Sequence, residues 1–340
     1  MGSIMEKVRG VNLGGWFVLE RWMSKDLFEG VDGKDETAFC LQKPSAKAFL
    51  HHHWETFITE DDFLWLAQRK INLVRIPYPW WIFGEDKPYY SCLKWLDRAM
   101  DWAAKHGLAV LLDLHTAPGC QNGFDNGGIE GVCTWHHDQA NIDRTVDVLK
   151  QIAQRYKNHP ALWGMQALNE PRWDIDIELI QRFYLDTYHE LRNILSMDHA
   201  IVFHDAFRNH AWEDFFRDHP LENVVLDLHL YQNFDEKFHQ AGIVNNLIYP
   251  LQEQIKVIDR VSRIVRCIVG EWSLGLNAKN FSSLDRFNYH LALRSFGANQ
   301  LLAFERGFGW VFWNYKIASD SYHWNFRKLV DSGVLPDDYS

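Results

Sequence analysis

Long apolar runs are missing from this 340-residue sequence, in which no stretch approaches the roughly eighteen uninterrupted apolar residues of a membrane-spanning helix. Blocks of Lys and Arg are missing as well. The formal net charge is -10, from 45 acidic and 35 basic side chains. Because nucleic acids and anionic membranes bind basic surfaces, neither is expected as a partner, and a neutral ligand is favoured.

Cysteine is scarce, and its spacing matches no metal site of the C-x-x-C type. The number of cysteines is odd, and reduced thiols are expected, although Cys120 and Cys133 could meet within one loop. Residues 1–10 lack the apolar segment of a secretion signal. This predicts a cytoplasmic location for the chain as it stands, or secretion if a leader has been removed. The five cysteines are Cys40, Cys92, Cys120, Cys133 and Cys267.

Signature motifs of serine hydrolases and zinc hydrolases are also missing. The nearest match to the serine-hydrolase pattern G-x-S-x-G is residues 271–275, where Glu271 replaces the first Gly. The nearest zinc-hydrolase pattern, residues 189–193, ends in Asn193 where a second His is required. The histidine run at 51–53 is expected on a solvated loop or at a helix start. The sequence therefore predicts neither a metal nor a cofactor.

The sequence does contain enough apolar material for a large core, with 47% hydrophobic and 24% charged residues. Aromatic residues make up 15% and include sixteen tryptophans. Because ordinary cores are built mainly from Leu, Ile and Val, part of this aromatic surplus is expected to line a site where flat apolar faces are needed.

Short β-rich runs alternate with segments of helical spacing along the chain. The first helix is predicted after Thr59 as N-cap, with Asp62 three residues further on. The runs at 109–115 and 224–229 show little polar alternation, which is typical of strands buried on both faces. The predicted strands are 8–13, 72–76, 109–115, 162–168, 200–203, 224–229, 267–270 and 310–313, and the helical segments are 63–67, 142–156, 180–194 and 247–258.

Repeated β/α alternation over eight strands indicates an α/β protein with a parallel sheet, and eight such units close into a single (β/α)8 TIM barrel. An open doubly wound sheet is the alternative. A nucleotide-binding sheet of that kind carries a G-x-G-x-x-G loop after its first strand, and residues 12–16 do not form one. No internal repeat or linker divides the sequence, so residues 1–340 are expected to form one barrel domain.

In such a barrel, functional residues lie where strands end and the following loops begin. Glu170 and Glu271 each follow an apolar strand almost directly. A carboxylate buried at a strand end costs desolvation free energy, so fold stability alone does not favour it. Two carboxylates from strands four and seven can face each other across the mouth, which is the arrangement that cleaves a glycosidic bond. Other polar or aromatic residues near strand ends are Arg75, His115, Asn169, His204, Asp205, His229, Tyr231 and Trp313.

Five segments carry a resemblance to a known family. The chain resembles glycoside hydrolase family 5, and within it most closely the exo-β-1,3-glucanase group. The matching motifs occur in the same order and extend from Arg9 to Trp313, nearly the whole chain. Although NEP alone is only moderately specific, five motifs in register are a specific signal. The segments are RGVNLGGWFVLERW, HTAPGCQNGFDNGG, LNEP, HLYQNF and VGEWS.

The resemblance implies a retaining β-glycoside hydrolase that cleaves β-1,3-linked glucan or gluco-oligosaccharides by double displacement. Glu271 would be the nucleophile and Glu170 the general acid/base. Arg75 and Tyr231 would stabilise the ionised form of Glu271. Because Glu170 must begin protonated, its pKa is expected to be raised by burial or by nearby negative charge.

The resemblance also implies which residues contact the substrate. Asn169 would bind the sugar 2-hydroxyl, and Trp313 would support the sugar ring. His204 and Asp205 match no motif, and a structural role is expected for them. The remaining implied contacts are His115 and His229 around the cleaved sugar, Glu20, Asp125 and Asn126 at hydroxyls of the terminal glucose, and Phe124 and Phe234 as the aromatic pair at the pocket entrance.

Several alternatives stay open. The substrate could be a β-1,6-glucan, a β-1,4-glucan, an aryl glucoside or a glycolipid, because the shared core recognises only the reacting sugar. The interval from Glu271 to Trp313 is shorter than in the fungal members, which leaves exo and endo action both open. A non-catalytic carbohydrate-binding barrel would be expected to lack one carboxylate, whereas both are present. The oligomeric state is also open.

Overall fold

Residues 5–340 are described by the computed structural model, and their strands close into one parallel barrel in chain order. The last strand pairs with the first, in the register Val8↔Gly309, to complete the ring. Because the strands are parallel, their carboxyl ends meet at one mouth. The predicted (β/α)8 barrel is confirmed. The strands are β1 Val8–Asn12, β2 Leu73–Tyr78, β3 Ala109–Leu114, β4 Leu162–Gln166, β5 Ala200–His204, β6 Val224–His229, β7 Arg266–Glu271 and β8 Gly309–Phe312.

Helices pack around the barrel within the described chain. The cap predicted for one of them is confirmed, since the Thr59 backbone N–H donates to Asp62 Oδ2 over 2.9 Å. No helix among residues 5–340 is long and apolar enough to cross a membrane. The α-helices are α1 Glu36–Gln42, α2 Ala46–Thr56, α3 Glu60–Gln68, α4 Leu93–His106, α5 Gln139–Tyr156, α6 Ile177–Arg192, α7 Trp212–Asp218, α8 Glu236–Gln240, α9 Gly242–Tyr249, α10 Ile255–Val261, α11 Arg286–Phe304 and α12 Phe326–Asp331.

Several predicted element limits were wrong for local reasons. Strand β4 ends at Gln166 rather than at residue 168, because the chain turns at Glu170, whose φ of 44° is left-handed, and Pro171 has no N–H to donate. The segment 247–258 is not one α-helix. A π-helical turn at Pro250–Gln254 separates α9 from α10, since a proline cannot donate the helical hydrogen bond. Helix α6 ends at Arg192, two residues early. Strand β6 has the predicted limits, and the remaining strands differ by one or two residues at one end or both.

The histidine run at 51–53 also differs from the prediction. It lies inside α2, and His53 is buried, with Nε2 2.8 Å from the Gly15 carbonyl oxygen. This contact ties the loop after β1 to the helix layer. All five cysteines are free in the structure, including Cys120 and Cys133, and their reduced state stays a prediction.

The barrel interior has an apolar layer that is separate from the core between strands and helices. Its side chains come from seven of the eight strands and form their own buried cluster. Burial of each such side chain contributes about 1.5 to 3 kcal/mol relative to exposure. This layer fills part of the barrel interior, and other inward positions hold polar groups. Its members are Val8, Leu73, Leu111, Ala200, Val202, Val225, Ile268 and Val311.

Candidate active site

Two buried carboxylates face one histidine at the mouth of the barrel. Glu271 is the last residue of β7, and Glu170 lies four residues beyond the end of β4. His229, the last residue of β6, places Nδ1 2.6 Å from Glu170 Oε1 and 3.4 Å from Glu271 Oε2. Because both oxygens are this close to a single atom, the geometry favours the carboxyl separation of about 5 to 5.5 Å found in retaining glycosidases over the roughly 6.5 to 9.5 Å of inverting ones.

Two hydrogen-bond donors hold Glu271, and both were expected beside it from the sequence. Arg75 Nη1 donates to Oε1 over 2.9 Å, and the Tyr231 hydroxyl donates to Oε2 over 2.8 Å. Burial raises the pKa of Glu271 above its usual value, and the positive charges of His229 and Arg75 oppose this rise. The two hydrogen bonds fix both oxygens of the carboxylate, so one oxygen is held in a defined position for attack.

Glu170 has different partners, and its pKa differs from the expectation. Burial favours the neutral acid, but the contact with His229 and the bond donated by Asn126 Nδ2 to Oε2 over 2.9 Å lower the pKa of Glu170. Burial also opposes a charge on His229, yet the carboxylates of Glu271 and Asp227 raise its pKa well above the usual value. The expected raised pKa of Glu170 is therefore wrong for this arrangement, because the contacts with His229 and Asn126 outweigh the effect of burial.

A layer of buried polar side chains beneath the pair was missed by the sequence analysis. Arg75 is fully buried, and its Nε donates to Gln166 Oε1 and its Nη1 to Asn12 Oδ1, both over 2.8 Å. Arg75 Nη2 also lies 3.1 Å from Asp113 Oδ2. Gln166 continues the network by donating to Asp227 Oδ2 over 2.9 Å. Apart from Asp113 Oδ1, which has no hydrogen-bond partner within the described residues, the polar atoms of these contacts are paired, and the network fixes the guanidinium under Glu271.

Two of the missed residues, Asp113 and Asp227, could have been found from a repeated tripeptide. The triplet Asp-Leu-His occurs at 113–115 on β3 and at 227–229 on β6. Residues two apart share one face of a strand, so each Asp reaches its own His: Asp113 Oδ2 lies 2.6 Å from His115 Nδ1, and Asp227 Oδ2 lies 3.2 Å from His229 Nε2. An aspartate inside an otherwise apolar strand, two residues before a histidine, was therefore a signal of an Asp–His contact at the site.

Three polar atoms of predicted sugar-binding residues have no hydrogen-bond partner within residues 5–340. They are Asn169 Nδ2, His115 Nε2 and Glu20 Oε1, and all three are buried. The other ends of these side chains are held, for example by the bond from Arg75 Nη2 to Asn169 Oδ1 over 2.8 Å. Buried polar atoms are normally paired, so three unpaired ones on fixed side chains indicate positions for a polar ligand.

Glu20 and Asp125 lie close enough for the charge of Asp125 to raise the pKa of Glu20. Trp22 Nε1 donates to Glu20 Oε2 over 2.8 Å. Burial, and then the charge of Asp125, raise the pKa of Glu20 well above its usual value. The pKa of Asp125 is also raised, mainly by burial. Asn126 is directed to Glu170 rather than left free, and Asn122 Nδ2 donates to Asn126 Oδ1 over 2.9 Å.

Trp313 forms an apolar wall beside the unpaired histidine nitrogen. Its ring stacks on His115 with centroids 5.5 Å apart and an interplanar angle of 6°. Gly14 permits this position, because a Cβ there would lie 2.5 Å from Trp313 Cη2. The site therefore combines a flat aromatic face with adjacent hydrogen-bonding atoms, which is the chemistry that binds a pyranose ring.

The predicted aromatic pair belongs to two separate groups of rings. Phe124 packs on Trp173, with centroids 6.0 Å apart, whereas Phe234 is 71% exposed and packs on Tyr231 and Trp324. Trp173 and Trp324 were not predicted as site residues. Trp173 follows the NEP motif by two positions, which was a usable signal, while the position of Trp324 depends on the loop after β8.

His204 and Asp205 each accept a backbone hydrogen bond, His204 Nε2 has no partner within the described residues, and the structural role expected for the pair stays a prediction. The Ala206 N–H donates to His204 Nδ1 over 3.0 Å, and the Phe207 N–H donates to Asp205 Oδ1 over 2.8 Å. Glu170, His204 and His229 also bring one possible metal ligand each within 4.8 Å of the others. Glu170 and His229 are in direct contact with each other in this group.

The barrel and its site define a class of proteins. A closed (β/α)8 barrel with two facing carboxylates at the carboxyl mouth, an arginine under one of them and an aromatic wall beside them is typical of glycoside hydrolases.

Comparisons with known proteins identify the family. The model of cellulase, glycosyl hydrolase family 5, matches residues 35–319. A glucan 1,3-beta-glucosidase of Blumeria graminis is 34% identical, over 97% of this chain and 87% of the relative. A sporulation-specific glucan 1,3-beta-glucosidase of Saccharomyces cerevisiae is 35% identical, over 98% of this chain and 86% of the relative. The chain belongs to glycosyl hydrolase family 5 and is a glycoside hydrolase.

Solved structures agree with this fold. A rutinosidase from Aspergillus niger superposes with a TM-score of 0.82 over 98% of this chain and 99% of the other, at 18% sequence identity. An endoglucanase from Thermotoga maritima gives a TM-score of 0.61 over 98% and 97%, at 17% identity. At these identities the similarity establishes the fold alone.

Proposed function

We propose that this enzyme is a retaining β-glucan hydrolase that acts on β-1,3-linked glucan or gluco-oligosaccharides. The observation that carries the proposal is the position of His229 Nδ1, within 3.4 Å of both Glu170 and Glu271. The short separation that this implies suits a double displacement. The names of the two fungal relatives support β-1,3-linked glucan as the substrate.

Glu271 acts as the nucleophile in this proposal. Its carboxylate attacks the anomeric carbon, the bond to the leaving oxygen breaks, and a covalent glycosyl-enzyme forms. Arg75 and the Tyr231 hydroxyl orient the attacking carboxylate, and their hydrogen bonds stabilise its ionised form. Water then attacks the same carbon from the opposite side, so the second inversion restores the original configuration.

Glu170 donates a proton to the leaving oxygen and later removes one from the attacking water. The proton is already within the site, because His229 Nδ1 lies 2.6 Å from Glu170 Oε1. Its transfer from the ring to the carboxylate gives neutral His229 and protonated Glu170 without exchange with solvent. The pair is therefore better described as sharing one proton than as two independent groups.

The substrate contacts follow from the unpaired atoms. Asn169 Nδ2 and His115 Nε2 bind hydroxyls of the sugar at the cleavage point, and Trp313 supports the ring. Contacts at the 2-hydroxyl strengthen in the transition state and contribute several kcal/mol in glycosidases of this kind. Glu20, Asp125 and Asn126 complete the site for the terminal glucose, and Phe124 and Phe234 contact the leaving sugar.

One catalytic domain accounts for residues 1–340 in this proposal. The C-terminal residues pack back on the barrel, where the Tyr339 N–H donates to the Arg69 carbonyl and Arg9 Nη1 donates to the Tyr339 carbonyl. Five free cysteines suit a reducing compartment, which favours the cytoplasmic location over secretion. Fractionation of the native source with an antibody tests the location.

The test of substrate and mode of action is a time course with laminari-, gentio- and cello-oligosaccharides of equal length. We expect the laminari series to be cleaved fastest, with glucose released from the first minutes if the action is exo. Fastest cleavage of the gentio or cello series would reassign the linkage. Intermediate-length products before glucose would establish endo action. No hydrolysis of any series would reject the proposed function.

A further inference from the structure

Three aromatic side chains form a row outside the catalytic pair. The ring centroids of Phe124 and Trp173 lie 6.0 Å apart, and those of Trp173 and Phe207 lie 6.2 Å apart. Trp173 is 52% exposed and Phe207 is 38% exposed. Single exposed apolar residues are ordinary, but adjacent exposed aromatic rings at the rim of a site indicate a binding surface.

The row lies on the side of Glu170. Phe124 precedes by two residues the Asn126 that donates to Glu170, and Trp173 follows Glu170 by three residues. At the other end, the ring of Phe207 packs on His204 at 5.0 Å, and His204 packs on His229 at 4.3 Å.

This position indicates which part of a substrate the row would meet. A general acid donates its proton to the oxygen of the leaving group, so the leaving group departs past the acid. Glu170 is the proposed acid, and the row lies beside it. The Tyr231 group of rings contains Phe234, the other proposed contact of the leaving sugar, and it reaches the site through the Tyr231 hydroxyl bonded to Glu271.

The turn that presents Phe207 is held in an unusual conformation. Ala206 and Phe207 have φ angles of 51° and 57°, a left-handed region that side chains with a Cβ rarely adopt. Backbone N–H groups of both residues donate to His204 and Asp205, which are buried and fix the turn. Strain of this kind persists only where the surroundings enforce it, and here its result is to place an aromatic ring at the surface.

The chemistry of the row suits a sugar chain. Aromatic faces stack on the C–H faces of pyranose rings, and successive rings about 6 Å apart can each meet a different sugar.

We propose that Trp173 and Phe207 bind the glucose units of the leaving group that lie beyond the sugar next to the cleavage point. This inference rests on the proposed function. It makes Trp173 and Phe207 determinants of chain-length preference, separate from the residues that hold the reacting sugar.

The test compares kcat/KM for laminaribiose and laminaripentaose in the native enzyme and in Trp173→Ala, Phe207→Ala and Trp173→Phe. We expect the native enzyme to favour the pentaose, and Trp173→Ala to lose about tenfold more activity on the pentaose than on the biose. Phe207→Ala should show a smaller loss of the same kind, and Trp173→Phe should retain part of the preference. Phe287→Ala, which removes a 75% exposed ring on α11, is the matched control and should behave as the native enzyme.

Equal losses on the biose and the pentaose, or no preference for the pentaose in the native enzyme, would overturn the inference. If Trp173→Ala does not fold, the same comparison in Phe207→Ala and Trp173→Phe decides. Failure of the native enzyme on every β-glucoside rejects the proposed function itself. Normal hydrolysis by the native enzyme without a length-dependent loss in the variants rejects only the role of the aromatic row.

Discussion

At the scale of single residues, the two glutamates differ because their partners differ. Glu271 has a permanent cation, Arg75, and a hydroxyl, Tyr231, which position it as an anion. Glu170 has a titratable ring, His229, which can take or return a proton. The two carboxylates therefore differ in environment rather than in residue type, and the proposed roles of nucleophile and acid rest on that difference.

The roles predict different responses to truncation. Glu271→Ala should abolish turnover, because the covalent glycosyl-enzyme can no longer form, and azide should restore it with the α-glucosyl azide as product. Glu170→Ala should slow substrates with poor leaving groups far more than activated aryl glucosides, since the latter need little protonation. Rates on both substrate types and the configuration of the azide product are the measurements. Equal losses without rescue in both variants would contradict the assignment.

The shared proton predicts a change in pH dependence. Burial opposes the charged ring of His229, but Glu271 and Asp227 face it, with His204 and Glu170 also in contact, and the net effect is a pKa well above its usual value. In His229→Asn, Glu170 must hold the proton alone. The basic limb of kcat/KM should therefore move to lower pH, and kcat should fall by roughly 10²-fold or more. An unchanged basic limb would show that His229 does not share the catalytic proton.

At the scale of elements, α1 holds the loop after β1 through a buried carboxylate. Glu36 accepts a bond from the Leu19 N–H over 2.9 Å and another from Trp81 Nε1 over 3.2 Å. These contacts join three segments of the chain next to the strand end that carries Glu20. Burial raises the pKa of Glu36 to about 8, so the folded protein binds a proton there that the unfolded chain releases at lower pH.

This shift predicts a pH effect on stability. Between the unfolded pKa near 4.3 and the folded pKa of about 8, the folded state binds more protons at Glu36, so the contribution of Glu36 to stability is greatest at low pH and falls as pH rises through this window. Glu36→Gln removes the titration and should flatten the loss, which is on the order of a few kcal/mol. Urea unfolding at pH 5 and pH 8 measures it, with the exposed Glu29→Gln as control. Equal pH dependence in the native protein and Glu36→Gln would contradict the account.

Elements also show how far the sequence could predict the structure. The eight strands and the Thr59 cap were predictable, because apolar runs and capping residues act locally. The end of β4 was not, because the left-handed turn at Glu170 is enforced by contacts from other strands. The polar layer under the site was missed, since Gln166 and Asp227 read as interruptions of apolar strands until the closed barrel brings them together.

At the site as well, features set by local sequence could be predicted, whereas those set by contacts between distant segments could not. Positions at strand ends followed from the motifs, and Arg75, Tyr231 and Glu271 lie together as expected. The direction in which the pKa of Glu170 shifts could not be predicted from the motifs, because it depends on which atom of His229 approaches which oxygen. Sequence order gives the neighbours of a residue along the chain, whereas a pKa depends on all charges around it.

At the scale of the whole molecule, closure of the barrel determines how far apart the two carboxylates lie. Strand β6 pairs with β7 so that His229 is opposite Glu271, and the turn after β4 brings Glu170 to the same ring. No single element holds both carboxylates at this spacing. The spacing results from closure of the barrel, and the stereochemical outcome is predicted from that spacing.

The measurement that tests the central claim most directly is proton NMR of the first product formed from a β-linked gluco-oligosaccharide or aryl β-glucoside, recorded before mutarotation. Double displacement through Glu271 predicts that the β-anomer appears first and that the α-anomer grows in only as the sugar equilibrates. Initial formation of the α-anomer would mean a single displacement by water and would contradict the account.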